Sequence, residues 1–313
     1  MLTRRKFIET SALAMAGLTA GLSLTGCKAS MLGKRERQFR VSLNTSTIRT
    51  YQLPVEKQID VCGAAGFDGI ELWVSDIEKY LSQGGSLSDL EKKLKDNRLV
   101  LENIIGFAPW SSDDEHKRQE GLLQMKKEME MTAKLGGKYI AAPVQGIAQI
   151  DREKMGEYAQ RYRDILDIGT TTGVIPLLEL WGSSVLFNLA DATHIALGTG
   201  HPDANLLLDF YHLFRGGNSF DSLHLLNVSR LPVIHINDYP AIPPRTQLKD
   251  SDRVYPGDGI CPFNTILPFL FKSGFCGGFS VELFNEGYCK QNTPEQMLAI
   301  TLEKTKQLIT NLL

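Results

Sequence analysis

The sequence has no long basic run, and its 34 Lys and Arg are matched by 36 Asp and Glu, giving a net charge of -2 and a pI of about 6.3. That balance argues against the one-sided positive surface that nucleic-acid binding requires. No Gly-x-Gly-x-x-Gly follows the first predicted strand and no Walker sequence is present, so two common nucleotide-binding fingerprints are missing. The five cysteines include no Cys-x-x-Cys spacing, which speaks against a zinc knuckle. Histidine is scarce, at six in 313 residues, and no internal repeat or low-complexity segment is evident. What remains is 42% hydrophobic and 22% charged, ordinary for a soluble globular enzyme. The length allows one large α/β domain or two small ones.

The first segment reads as a targeting signal rather than as part of the fold. Arg4-Arg5-Lys6 precedes a weakly apolar stretch from Ser11 to Thr25, which ends in Leu24-Thr25-Gly26-Cys27. A positive end, an apolar middle and small residues before a cut describe an export signal. The paired arginines resemble a twin-arginine signal, and Leu-Thr-Gly-Cys resembles the lipobox of bacterial lipoproteins. The expectation is a signal at 1–26, lipidation at Cys27, and a polar tether at 27–37. Plain cleavage without lipid is the competing reading, and a transmembrane anchor is disfavoured because the apolar stretch is short and diluted by Gly and Thr. The resulting expectation is an exported, periplasmic protein that meets a membrane only through its lipid. Cys62, Cys261, Cys276 and Cys289 are expected to be ordinary thiols, at least some of them buried.

From residue 38 onward, short apolar runs alternate with helical stretches. The runs fall at 39–44, 69–73, 99–105, 138–142, 174–180, 205–209, 233–236 and 278–283. Helices are predicted at 54–65, 87–97, 116–135, 151–172, 186–197, 220–228 and 262–272, with a last one opening at Thr293-Pro294. Runs of this length read as buried parallel strands. Eight strand–helix units in one domain at 38–313 are what a (β/α)₈ TIM barrel of the α/β class needs. A doubly wound sheet is the runner-up. The loop 238–256, with Pro240, Pro243 and Pro244, is long enough to suggest a function.

Four consecutive runs end in a side chain able to hold a metal: Glu179, Asp209, His235 and Glu282. Singly, each reads better as a loop residue or helix cap. In a closed barrel the ends of strands five to eight form one arc at one mouth. Three carboxylates there repel one another unless a cation joins them. The oxygen-rich, one-nitrogen set suits a divalent ion, Mn²⁺ first, with Mg²⁺, Co²⁺ or Zn²⁺ as alternatives.

The chain resembles the xylose-isomerase-like TIM barrels, the sugar phosphate isomerases and epimerases, and within them the ketose 3-epimerases. The resemblance spans about 38–313. It rests on Gly66-Phe-Asp-Gly-Ile-Glu71, Leu-Glu179, Leu-Asp209-Phe-Tyr-His212, His235-Ile-Asn-Asp238, Arg253-Val-Tyr-Pro-Gly-Asp-Gly259 and Val-Glu282. It implies Glu179, Asp209, His235 and Glu282 as metal ligands, with Glu179 and Glu282 also as the catalytic proton-transfer pair. It further implies that His212 and Arg253 bind substrate oxygens. Trp73, Trp110 and Trp181 lie at or beyond strand ends, and Trp181 is the candidate to stack on a sugar ring. Rim packing explains all three equally well. Glu71 reads either as a barrel-lining polar residue or as one satisfied by internal hydrogen bonds. His194 and His201 match nothing and are expected at the surface.

Two departures bear on substrate. Ketose epimerases of this group carry another acid soon after the fifth-strand glutamate, and Gly182–Phe187 has none. The loop after His235 is also longer than usual. The implied activity is proton abstraction beside a carbonyl of a small-molecule sugar or keto-sugar, through an enediolate. Epimerisation, isomerisation and elimination by a lyase or dehydratase all remain open. So do a non-catalytic sugar-binding lipoprotein and a homo-oligomeric state. A metal nuclease like endonuclease IV needs a histidine-rich trinuclear site, which this chain lacks.

Overall fold

A computed structural model describes residues 39–313. The expected signal, Cys27 and the tether lie outside the described residues. Eight parallel strands close into a barrel in chain order. They are β1 (Arg40–Asn44), β2 (Gly69–Trp73), β3 (Val100–Ile105), β4 (Tyr139–Pro143), β5 (Ile175–Glu179), β6 (Asn205–Asp209), β7 (Val233–Ile236) and β8 (Gly278–Val281). The barrel closes where β1 runs parallel to β8, Arg40 beside Gly278 and Leu43 beside Val281.

The helices are α1 (Val55–Ala65), α2 (Val74–Ser82), α3 (Leu87–Asp96), α4 (Glu115–Lys134), α5 (Met155–Thr172), α6 (Leu189–Gly198), α7 (Phe210–Arg215), α8 (Phe263–Lys272), α9 (Glu286–Gln291) and α10 (Pro294–Leu312). Their boundaries reflect local chemistry. Ser86 caps α3 by accepting from the Asp89 N–H, and Thr293 and Gln296 form a reciprocal box at the start of α10, each satisfying amides the helix cannot. Gly66 and Gly173 end α1 and α5 in the left-handed conformation, which costs glycine least.

Three short helices go beyond the sequence reading, and one expected helix is replaced. α2 starts directly at the end of β2 with no loop, α7 begins as abruptly after β6, and α9 fills part of the link after β8. Ser219 does act as a cap, but Phe220–Leu225 and Val228–Arg230 are 3₁₀ turns rather than one α-helix. Asn227 splits them by accepting from the Ser229 N–H, a side-chain bond that competes with helix continuation.

The barrel interior explains where the polar residues end up. Trp73, Ile105, Ala141, Leu177, Leu207 and Val233 form their own buried cluster, separate from the larger core between strands and helices. Side chains two apart on a strand share a face. The faces carrying Leu177, Leu207 and Val233 therefore continue to Glu179, Asp209 and His235. At the opposite mouth Arg40 donates twice to Glu102, at 2.8 and 2.6 Å, and the Ser42 hydroxyl adds a third bond at 2.8 Å. That end is a closed polar plug. No helix among the described residues is long and apolar enough to cross a membrane. Cys62, Cys261 and Cys289 are buried thiols, and Cys276 is exposed.

Candidate active site

The C-terminal ends of β5 to β8 bring Glu179, Asp209, His235 and Glu282 together around the imidazole of His235. Ligating atoms of Asp209, His235 and Glu282 all lie within 4.8 Å of one another. Nδ1 of His235 is 3.2 Å from Glu282 Oε2 and 3.7 Å from both Glu179 Oε1 and Asp209 Oδ2. Buried as it is, Nδ1 makes no well-aligned hydrogen bond. Asp209, His235 and Glu282 form a donor set that fits a divalent cation, and Glu179 stands beside His235 but outside that close group.

The other ring nitrogen is fixed. Nε2 of His235 lies 2.9 Å from Glu71 Oε2, with both side chains fully buried. Glu71 is held in turn by Asn44 Nδ2 at 2.6 Å, and the same amide reaches Glu282 Oε1 at 3.1 Å. Trp73 Nε1 donates to Asn44 Oδ1 at 3.0 Å. A carboxylate behind a histidine sets which nitrogen is free to ligate. Glu71 is thus held through Oε2 by internal bonds, one of which reaches the site, while its buried Oε1 makes no hydrogen bond.

Asp209 serves two purposes. Its Oδ1 accepts from the His212 N–H at 2.8 Å and caps α7. Its Oδ2 accepts from Asn237 Nδ2 at 2.9 Å and Arg253 Nη1 at 2.8 Å. Arg253 is the largest charged side chain in the interior, 1% exposed. Nη1 also bonds Glu282 Oε2 at 2.8 Å, Nη2 bonds Asp250 Oδ1 at 2.7 Å, and Nη2 sits 3.2 Å from Nε2 of His212. A guanidinium only donates, so His212 accepts through Nε2 and carries its proton on Nδ1. That Nδ1–H has no protein partner.

The electrostatics separate the carboxylates. Burial pushes Glu179 up to about 8; the Glu282 and Asp209 charges add to this, and His235 and the Trp181 N–H oppose it. Burial also opposes ionisation of Asp209, but Arg253, then His212 and His235, outweigh it and hold Asp209 well below the usual range. Burial disfavours a charged His235, yet Glu282 and Glu71 hold its pKa well above the usual value. Burial lowers His212, and Asp209 only partly offsets this. With protein groups alone, a proton on His235 balances the carboxylates. A divalent cation held among the same groups would remove the same repulsion and take the place of that proton.

The cleft above this centre is lined by Trp73, Phe107, Trp181 and Phe284, together with His212, Asp250 and Arg253. Trp181 faces His212 with ring centroids 6.2 Å apart, and Phe107 stands edge-on to Trp181 at 5.9 Å. Trp110 is not among these residues. It is buried against Tyr162, and its Nε1 donates to the Pro143 carbonyl at 3.1 Å. His194 is exposed as expected. His201 is not: its side chain is 8% exposed, and its Nδ1 accepts from the Asp203 N–H. Sequence reasoning missed Asn44, Phe107, Phe284 and Asp250. Asp250 gave no signal beyond lying in a long loop. Asp238 shapes that loop by accepting from the backbone N–H groups of Tyr239, Gly257, Gly259 and Cys261.

Comparisons with known proteins agree with this architecture. The family model for the xylose isomerase-like TIM barrel matches residues 59–308. An inosose isomerase of Bacillus velezensis is 27% identical over 261 residues, covering 82% of this chain and 92% of that protein. A fructoselysine 3-epimerase of Escherichia coli O157:H7 is 22% identical over 274 residues, covering 82% and 94%. A crystal structure of the IOLI protein with a bound zinc atom superposes with a TM-score of 0.80 at 25% identity, over 88% of this chain and 99% of that one. With the model matching most of its length, this chain belongs to the xylose isomerase-like TIM barrel family.

Proposed function

We propose that the protein is a divalent-metal-dependent isomerase or epimerase acting on the carbon next to the carbonyl of a sugar-like polyhydroxy ketone. The observation that carries this reading is the orphaned Nδ1 of His235, faced by three carboxylates and backed by Glu71. Glu179, Asp209, His235 and Glu282 would hold the ion. When bound, a divalent cation supplies Lewis acidity to a carbonyl and its neighbouring hydroxyl, making the C–H between them more acidic. Mn²⁺ suits the oxygen-rich set, and the zinc of the IOLI structure makes Zn²⁺ the first alternative.

The chain's own groups do the rest. Glu179 and Glu282 stand on β5 and β8 with His235 between them. One removes the proton, and the other returns one to the resulting enediolate. His212 lines the cleft, held there through Nε2 by Arg253. Arg253 fixes Asp209 and Glu282 so that neither rotates away, and Trp181, with Phe107 edge-on to it, forms an apolar corner for the carbon skeleton. The same enediolate would expel a β-substituent if the substrate carried one, which is the elimination reading. The relatives named isomerase and epimerase support the transfer without elimination, and a more distant relative named 3-dehydroshikimate dehydratase supports elimination. We also place the protein outside the cytoplasm, anchored through Cys27, on the strength of Arg4-Arg5 and Leu24-Thr25-Gly26-Cys27.

The test is incubation of the Mn²⁺-loaded protein with a panel of keto-sugars, including an inosose, in D₂O. The expected result is deuterium at the carbon beside the carbonyl, lost on chelation with EDTA and restored by Mn²⁺. No exchange into any panel member would count against catalysis and in favour of a sugar-binding protein.

A further inference from the structure

We propose that the cleft selects an uncharged polyhydroxy ketone and rejects phosphorylated or carboxylated ones, with Asp250 as the specificity-determining side chain. This rests on the isomerase reading and narrows its substrate class.

Arg253 is the one arginine or lysine lining the cleft among the described residues, and its charge is already committed. Nη1 is shared by Asp209 and Glu282, and Nη2 by Asp250 and His212. Only the Nε–H is left without a partner. An anionic substrate group would have to displace one of these carboxylates. Leaving Glu179 aside, the carboxylates Glu71, Asp209, Asp250 and Glu282 still outnumber the charges of Arg253 and a bound dication by one. An incoming phosphate therefore meets excess negative charge.

Asp250 is the member of this set placed to meet substrate. It is half exposed, lines the cleft, and comes from the long loop between β7 and α8. One carboxylate oxygen is held by Arg253, which fixes the group without burying it. The remaining lining suits hydroxyls. Asp250 accepts, Ser183 adds a hydroxyl, and the aromatic walls cover C–H faces. A hydroxyl both gives and accepts a hydrogen bond, whereas a phosphate dianion only accepts. Arg49 is the nearby cation to control for. It is exposed, and its guanidinium lies 3.6 Å from the Trp73 ring centroid, against the indole rather than in the cleft lining.

The experiment titrates the Mn²⁺-loaded full chain by calorimetry and tryptophan fluorescence with three matched pairs. These are an inosose, L-ribulose and D-fructose, each against its monophosphate. The neutral member should bind about 100-fold tighter in at least one pair. Asp250→Asn, which keeps an oxygen for Arg253, should shrink that ratio at least tenfold by tightening the monophosphate. Arg49→Ala should leave the ratio unchanged. The proposal is overturned if in no pair the neutral member binds tighter than its monophosphate, if no neutral ketone binds, or if Asp250→Asn leaves the ratio intact. Neutral ketones that bind with the expected ratio but never exchange deuterium would overturn the isomerase reading and leave this selectivity standing.

Discussion

At the scale of single residues, the site is a set of carboxylates made compatible by their hydrogen bonds. Asp209 commits one oxygen to the α7 cap and the other to Asn237 and Arg253. The helix-cap and ligand readings of a strand-end aspartate are therefore not exclusive. Asp209→Asn and His235→Ala should each cut bound metal well below one per chain, measured by elemental analysis on protein verified as folded by circular dichroism. Full stoichiometry in both would remove the site. Glu71→Ala should be milder, weakening metal affinity about 10–100-fold in a competition titration, because it frees the His235 ring rather than deleting a ligand. The strand-end residues are legible in the sequence because each terminates an apolar run. Glu71 is visible, but its partner is not. The bond to His235 crosses the barrel between β2 and β7, and no spacing along the chain encodes that. Asp250 is hidden for a related reason: loop residues carry no periodicity that says which way they face.

At the scale of elements, two pieces hold the mouth in shape. The loop after β7 is pinned by four backbone N–H groups on Asp238, which brings its returning arm, and Arg253 with it, back over the centre. Its close packing requires glycine at 259, where a Cβ would fall 2.2 Å from the Tyr239 carbonyl oxygen. The link between β3 and α4 carries Phe107 into the cleft, and α4 supports it from behind. Gly121 lets α4 approach the chain at Pro109, where a Cβ would fall 2.5 Å from the carbonyl carbon. This accounts for a residue that weakens helices by about 1 kcal/mol. Glu128 lies 3% exposed on the same helix, and a Cβ at Gly106 would fall 2.4 Å from its Oε2. Burial lifts its pKa from 4.5 to about 7, against the hydrogen bond from Gln124. A carboxyl with a raised folded pKa keeps its proton better folded than unfolded. Its stabilising effect is complete below pH 4.5 and lost as pH rises to about 7. Glu128→Gln should therefore be close to neutral at about pH 5 and stabilising by about 2–3 kcal/mol at about pH 8 in urea unfolding. A gain that does not grow with pH would contradict this. The main helices are legible from their caps and periodicity. α7 and α9 are not, because six residues are too few to show a period, and α2 is not, because it starts where β2 has barely ended.

At the scale of the whole molecule, the closed eight-stranded barrel arises from the alternation of apolar runs and helices, and it decides which residues can meet. One mouth is closed by the Arg40–Glu102–Ser42 plug and the other is open to substrate, so chemistry and stability sit at opposite ends. The proposed anchoring is tested at this scale too. Cys27→Ser should move the exported protein from the membrane fraction to the soluble periplasmic fraction, and wild-type protein already soluble there would contradict lipidation. The central claim is that Glu179 and Glu282 transfer the proton as well as hold the metal. The most direct measurement is the rate of deuterium incorporation into substrate by Glu179→Gln and Glu282→Gln at confirmed metal occupancy. Each variant keeps a coordinating oxygen and loses its basicity. The account predicts exchange slowed about 10²–10⁴-fold in at least one variant, and net turnover lost in both. Near-normal exchange in both, with metal bound, would contradict it and place the base elsewhere, with His212 the next residue to test.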